Sequence, residues 1–259
     1  MNPRSRITLI AFLALTCAML QANAAETKTV DRTVPLSATG AVTLESHNGT
    51  IHVHTWDRPE IEIHARIEAG GDSAEDLRRF RDTNVEIDAS TGSVHIKSKL
   101  PDYSNWNGWW FSGNSPEIHY NITAPRTARW TIRDHNSTGE IRDVSAALDI
   151  NMHNGKLQVV NLNGRLELAM HNGRAYIDFA AFTQDSRVDM HNGEVELSLP
   201  ASSRFNLHAD GHNNSLHSDF AVLTHMAGRR NATIDGPVNG GGPSLRLSSH
   251  NGSFRIRSK

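Results

Sequence analysis

Apolar and polar residues alternate along most of this chain, in short runs that return to the same phase. Leu148, Ile150 and Met152 precede His153, and Leu157 and Val159 follow it. Leu166, Leu168 and Met170 lead to His171, with Ala175, Ile177 and Phe179 beyond. Val188 and Met190 lead to His191, with Val195, Leu197 and Leu199 beyond. A period of two puts successive side chains on opposite faces, so each run predicts a half-buried strand. By this parity Met152, Met170 and Met190 point inward, and His153, His171 and His191 point out.

The runs are joined by a recurring signal. His-Asn stands at His47, His135, His153, His171, His191, His212 and His250, and Gly follows at His47, His153, His171, His191 and His250. From His135 to His212 the copies are 18, 18, 20 and 21 residues apart. A weaker copy, Leu162-Asn163-Gly164, falls midway between His153 and His171. The unit is therefore about nine residues, or eighteen when paired. Asn-Gly predicts a turn, because Gly adopts positive φ freely and Asn tolerates it. The pattern predicts an all-β, single-domain β-solenoid or β-roll of short strands with Asn-Gly turns. The alternative is an antiparallel β-sandwich, since Asn-Gly between alternating runs also signals hairpins. Only the solenoid explains why the same residue recurs at the same phase: stacked coils bring each position against its own copy at about 4.8 Å.

The N-terminal part keeps this grammar with longer interruptions. Val42 and Leu44 lead to His47-Asn48-Gly49, then Ile51 and Val53; Ile61, Ile63 and Ala65, and later Val85, Ile87, Val94 and Ile96, predict further strands. Ser73 to Asp82 is the one helical candidate, with Ser73 as cap, Asp76 at the third helical position, and Leu77 and Phe80 on one face. Residues 100–116 form an insertion rich in Trp, Asn, Gly and Ser.

Residues 1–24 read as a secretory signal peptide. Arg4 and Arg6 precede an apolar run from Ile7 to Leu20, and Ala22-Asn23-Ala24 is a small-x-small cleavage site. The expected mature chain is residues 25–259, placed in the periplasm or at the cell surface. The only cysteine, Cys17, lies in the leader, so no disulfide is expected. No later stretch is long and apolar enough for a transmembrane helix. The formal charge of −2 gives no footprint for nucleic acid.

The segment from Gly40 to Asp57, GAVTLESHNGTIHVHTWD, resembles the start of the bacterial "putative adhesin" β-repeat family, a domain of unknown function. The short helix, the Leu199-Pro200 step and the closing Ser249-His250-Asn251-Gly252-Ser253-Phe254 are similar to it as well. The resemblance covers nearly the whole mature chain. It implies an exported β-solenoid-like domain at the cell envelope with no catalytic residues. This chain departs from the usual pattern by placing His before so many Asn-Gly pairs.

Two groups of residues carry candidate chemistry. Stacked coils would set His153, His171 and His191 in a column about 5 Å apart, where neutral imidazoles could share zinc or copper. His52 and His54 share one face of a strand and form a possible surface chelate. The structural alternative is a turn-adjacent His bonded to a neighbour or to the Asn side chain. The second group is Tyr103, Trp106, Trp109, Trp110 and Phe111, suited to a sugar, a membrane interface or a protein, or else to capping an open solenoid edge. Catalytic motifs are missing: there is no Gly-x-Ser-x-Gly, no His-Glu-x-x-His and no phosphate-cradling Gly loop. The sequence thus reads first as a non-enzymatic envelope interaction module for an envelope protein or glycan. The alternatives are a periplasmic metal- or pH-responsive His-ladder binder and a polysaccharide-active β-helix enzyme.

Overall fold

The computed structural model describes residues 25–101, 114–211, 215–222 and 234–259. The expected signal peptide, the five aromatic candidates and His212 lie outside the described residues. The middle of the molecule is a stack of four long strands: β8 (Arg129–Arg142), β9 (Leu148–Leu162), β10 (Leu166–Phe179) and β11 (Ser186–Leu199). They pair parallel and in register, Met152 with Met170 and Met170 with Met190. Parallel pairing rules out the hairpin sandwich and establishes the solenoid.

Each long strand bends once, at His-Asn-Gly in β9, β10 and β11 and at His135-Asn136-Ser137 in β8. Met152 is buried, His153 exposed, Asn154 and Gly155 half-buried, Lys156 exposed and Leu157 buried again. Strict alternation would send Leu157 outward, because it stands five positions after Met152. The corner resets the parity, so both limbs of each coil turn their apolar side into one core. Leu148, Ile150 and Met152 on one limb and Leu157, Val159 and Leu162 on the other all join it.

The corner is not the turn that the sequence predicts. Among the described residues with positive φ, the only non-glycines are Asp143, Asn161 and Asn239, so the corner asparagines do not take the positive φ of a turn. Gly155, Gly173 and Gly193 have φ of 138°, 142° and 138°. A Cβ on Gly173 would sit 2.0 Å from the carbonyl oxygen of Gly155, and one on Gly193 would sit 1.9 Å from that of Gly173. Close stacking of corners, together with this φ, is what demands glycine. The second bend of the coil uses Asp143 and Asn161, both at φ 60°, and the Asn161 amide donates to Asp143 Oδ1 at 2.6 Å.

Chain order and spatial order part after β11. The next strand in space is the last in sequence, β15 (Ser244–Ser258), parallel to β11 with Asn192 opposite Asn251. Strands β12 (Phe205–Gly211) and β13 (Ser215–Ser218) pair with the far side of β15, and β14 (Ile234–Val238) closes that end antiparallel to β12. β12 and β13, which follow β11 in sequence, therefore do not lie next to it.

At the other end β2 (Ala41–Glu45) and β3 (Asn48–Trp56) make one coil against β8. Beyond it lie β6 (Ser93–Lys99) and β7 (Glu117–Pro125), which flank the aromatic insertion. Antiparallel strands finish the end: β4 (Glu60–Glu68) on β7, β1 (Thr27–Pro35) on β4, and β5 (Asn84–Ala89) on β6. Helix α1 (Ala74–Asp82) starts as predicted: the Ser73 hydroxyl accepts from the Asp76 amide at 3.1 Å, and Phe80 is buried. Asp76 Oδ1 also accepts from the Asn114 amide at 2.6 Å, which ties the described end of the insertion to the helix.

Candidate functional site: a column of stacked histidines

The corner residues form two ladders running along the solenoid, a histidine ladder over six coils and an amide ladder over five. The first is imidazole. His47, His135, His153, His171, His191 and His250 stack in that order, with centroids 5.0, 4.8, 4.7, 4.5 and 4.9 Å apart and planes within 2–12° of parallel. His153, His171 and His191 are exposed, as parity predicts. The second ladder is amide. Asn154 Nδ2 donates to Asn136 Oδ1 at 2.6 Å, Asn172 to Asn154 at 2.8 Å, Asn192 to Asn172 at 2.8 Å and Asn251 to Asn192 at 3.2 Å. Each inner amide gives and receives one bond, as stacked identical side chains do in cross-β ladders.

The two ladders are independent. The amides of Asn154, Asn172 and Asn192 bond along their own ladder and not to His153, His171 or His191. The rings of His153, His171 and His191 stack on their neighbours and make no hydrogen bond to another described residue. Their ring edges face solvent, with nitrogens that the fold leaves unused. A groove of about 430 Å³ runs beside them, walled on the other side by the outward row that includes Asn151, Ala169, Asp189 and Ser248. Ala169 and Ser248 keep that wall low.

Stacking also constrains coordination chemistry. An imidazole lone pair lies in its ring plane, so nearly parallel rings aim their lone pairs side by side rather than at one point. Sharing one ion between two of them requires the rings to rotate out of the stack. Among the described residues no group of three or more His, Cys, Asp or Glu is placed to hold a metal ion. His52 and His54 are both exposed on β3, on the limb beyond the corner and away from the column. His52 pairs in register with Asn121 on one side and Glu140 on the other, and His54 with Thr123.

Burial and like neighbours tune the column. Partial burial lowers the pKa of His47, and His135 beside it lowers it further. Asp134, which occupies the inward position held by Met152 in the next coil, opposes this. Burial pushes the Asp134 carboxyl up, although the Ser137 hydroxyl and amide donate to it at 2.6 and 2.8 Å. Loss of solvent, then His191 and His153, lowers His171. His64 behaves differently. His64 on β4 sits between Asp31 at 2.7 Å and Glu62 at 2.9 Å, and those two bonds raise its pKa. His208 lies 2.7 Å from Asp235 across β12 and β14.

The outward carboxylates do not form a paired acid–base site. Asp189 is bound to Arg187 at 2.6 Å, Glu196 to Arg257 at 2.7 Å, and Asp178 contacts Lys259. Asp149 and Asp189 precede the corner of their coils, whereas Asp178 and Glu196 follow it. The amide ladder is the feature that sequence reasoning missed. Its signal was the same-phase Asn itself, which the turn interpretation absorbed.

No curated protein matches the chain. Solved structures similar to it include a Clostridium sporogenes "putative cell adhesion protein", 10% identical, covering 90% of this chain and 100% of its own, with a TM-score of 0.49. A Bacteroides fragilis "putative adhesin" is 10% identical over 90% of this chain and 97% of its own, at 0.31. The family model described as Toastrack DUF4097 matches residues 16–257, and the chain belongs to that family.

Proposed function

We propose that the protein is a non-enzymatic interaction module of the cell envelope, an adhesin-like β-solenoid that meets its partner through the histidine face. The observation that carries this reading is the column itself. Core burial, backbone pairing and the amide ladder account for the rest of the corner, yet the imidazole edges of His153, His171 and His191 are left to solvent. Regularly spaced polar groups unused by the fold are what a binding surface requires. The signal peptide and the family resemblance support the envelope as its place. The same column supports a second reading, a pH-responsive binder, because burial and neighbouring rings hold His47 and His171 below the ordinary histidine range.

The test uses residues 25–259, incubated with outer-membrane and cell-wall fractions of the producing cells. The module reading predicts saturable retention by one fraction, lost when His153, His171 and His191 become Ala while the melting curve stays cooperative. Retention by neither fraction, or breakdown of the fraction's polymer by the protein, contradicts it.

A further inference from the structure

Three connections of unlike sequence meet near the β15 end of the stack: 180–185 from β10 to β11, 200–204 from β11 to β12, and 239–243 from β14 to β15. The corners stack closely because each coil repeats the last. Here the crossover that seats β15 between β11 and β12 sets non-equivalent loops side by side. A groove of about 590 Å³ remains between them. Ala180, Phe182, Pro200 and Pro243 make part of its lining apolar. Phe182 is buried and meets Phe179 and Phe205 edge-on, with centroids 5.3 and 5.6 Å away, so this apolar part is fixed. Among the described residues Arg204 is the only charged one in the lining. It is exposed, and no described carboxylate pairs with it. Asp185, close by in sequence, accepts from the Ser244 amide at 2.7 Å and does not line the groove. Ser203 lines it and is only 8% exposed, yet its hydroxyl bonds to no other described residue.

We infer that this groove binds a small monocarboxylate with an apolar body, its carboxylate on Arg204 and its body against Phe182. Charge selects the head: a lone guanidinium balances one negative charge, whereas a phosphate monoester brings about two. Shape selects it as well, because the planar guanidinium fork meets both carboxylate oxygens at once. The unpartnered Ser203 hydroxyl adds a donor to the same groove. The apolar body displaces water from the Phe182 side, which is the favourable term for a ligand with few polar contacts. This groove shares no lining residue with the one beside the histidines. It is a second site, and it stands or falls separately from the reading of the histidine face.

The test is an NMR titration of isotopically labelled residues 25–259 with phenylpropionate. Saturable shifts of the Arg204 side-chain N–H and the Phe182 amide are expected below about 10 mM. Phenylpropionamide keeps the body and drops the charge; acetate keeps the charge and drops the body. Each should bind at least about tenfold more weakly than phenylpropionate. Arg204→Gln should weaken phenylpropionate by about tenfold or more, with a melting curve like the parent's, because Arg204 is exposed and unpaired. Arg204→Lys keeps the charge without the fork and should fall between the two. If Arg204→Gln does not fold, the comparison of acid with amide on the unaltered chain decides. A dipeptide ending in Phe, added in place of the free acid, separates the two sources of such a carboxylate. Tighter binding of the dipeptide points to a polypeptide C-terminus, and weaker binding to a free acid; both support the site. No saturable shift up to about 10 mM overturns the inference. So does an amide that binds as well as the acid, or phenyl phosphate that binds more tightly than phenylpropionate.

Discussion

Gly193→Ala is expected to cost more than about 3 kcal/mol in a urea melt, enough to leave a marginal domain largely unfolded. The cause is geometric. An added Cβ would lie 1.9 Å from the Gly173 carbonyl oxygen and 3.0 and 3.1 Å from the Gly173 carbonyl carbon and amide nitrogen. All three are backbone atoms of Gly173, held by the parallel register with β11 and β9, so no side chain can swing away. The φ of 138° adds strain of its own. Gly92 is the internal control, because a Cβ there meets nothing within 4 Å. Gly92→Ala should stay within about 0.5 kcal/mol of the parent. If both changes melt like the parent, the corners do not stack as described.

Asn172→Ala should have the next largest effect, a loss of about 1–3 kcal/mol. Asn172 donates to Asn154 and accepts from Asn192, both at 2.8 Å. Truncation strands the acceptor of one half-buried amide and the donor of the next, and it removes the chain's continuity. Asn136 only accepts within the ladder, from Asn154. Asn136→Ala should therefore cost less than Asn172→Ala in the same melt. Equal losses, or none at Asn172, would mean that the amides are solvated individually and do not act as a ladder.

Much of this architecture was legible in the sequence, and the exceptions have physical reasons. Period-two runs around a repeated corner identified the inward Met and outward His, because parity is local and needs no partner. The Ser73 cap was legible for the same reason. Strand order was not. His212-Asn213 and His250-Asn251 read as equivalent continuations of the repeat, and only pairing over 59 residues puts Asn251 beside Asn192. The positive φ of Gly193 was legible, but the close approach to the Gly173 carbonyl that also calls for glycine was not, because it depends on the stacked partner strand. The antiparallel ends escaped notice because β1, β4 and β14 carry no copy of the corner. For the site, parity located the column and its spacing. Which way the nitrogens pointed, and that the neighbouring amides would not occupy them, depended on side-chain geometry.

The column as a set of coupled, solvent-edged rings is the centre of this account, and an NMR pH titration of the histidine Cε1–H signals tests it most directly. The pKa of His171 and His47 lies below the unfolded value of about 6.5, so their contribution to stability is present above that pH and lost as pH falls. His64 has the opposite sign: its raised pKa contributes stability at lower pH that is lost as pH rises through the folded value. The titration should show His47 and His171 with midpoints below about 6.5, shallow because each protonation opposes the next, and His64 with a midpoint above it. Replacing His191 with Ala should move the His171 midpoint upward. Histidines that all titrate independently near about 6.5, with His171 indifferent to the loss of His191, would contradict the stacked column and the binding face built on it.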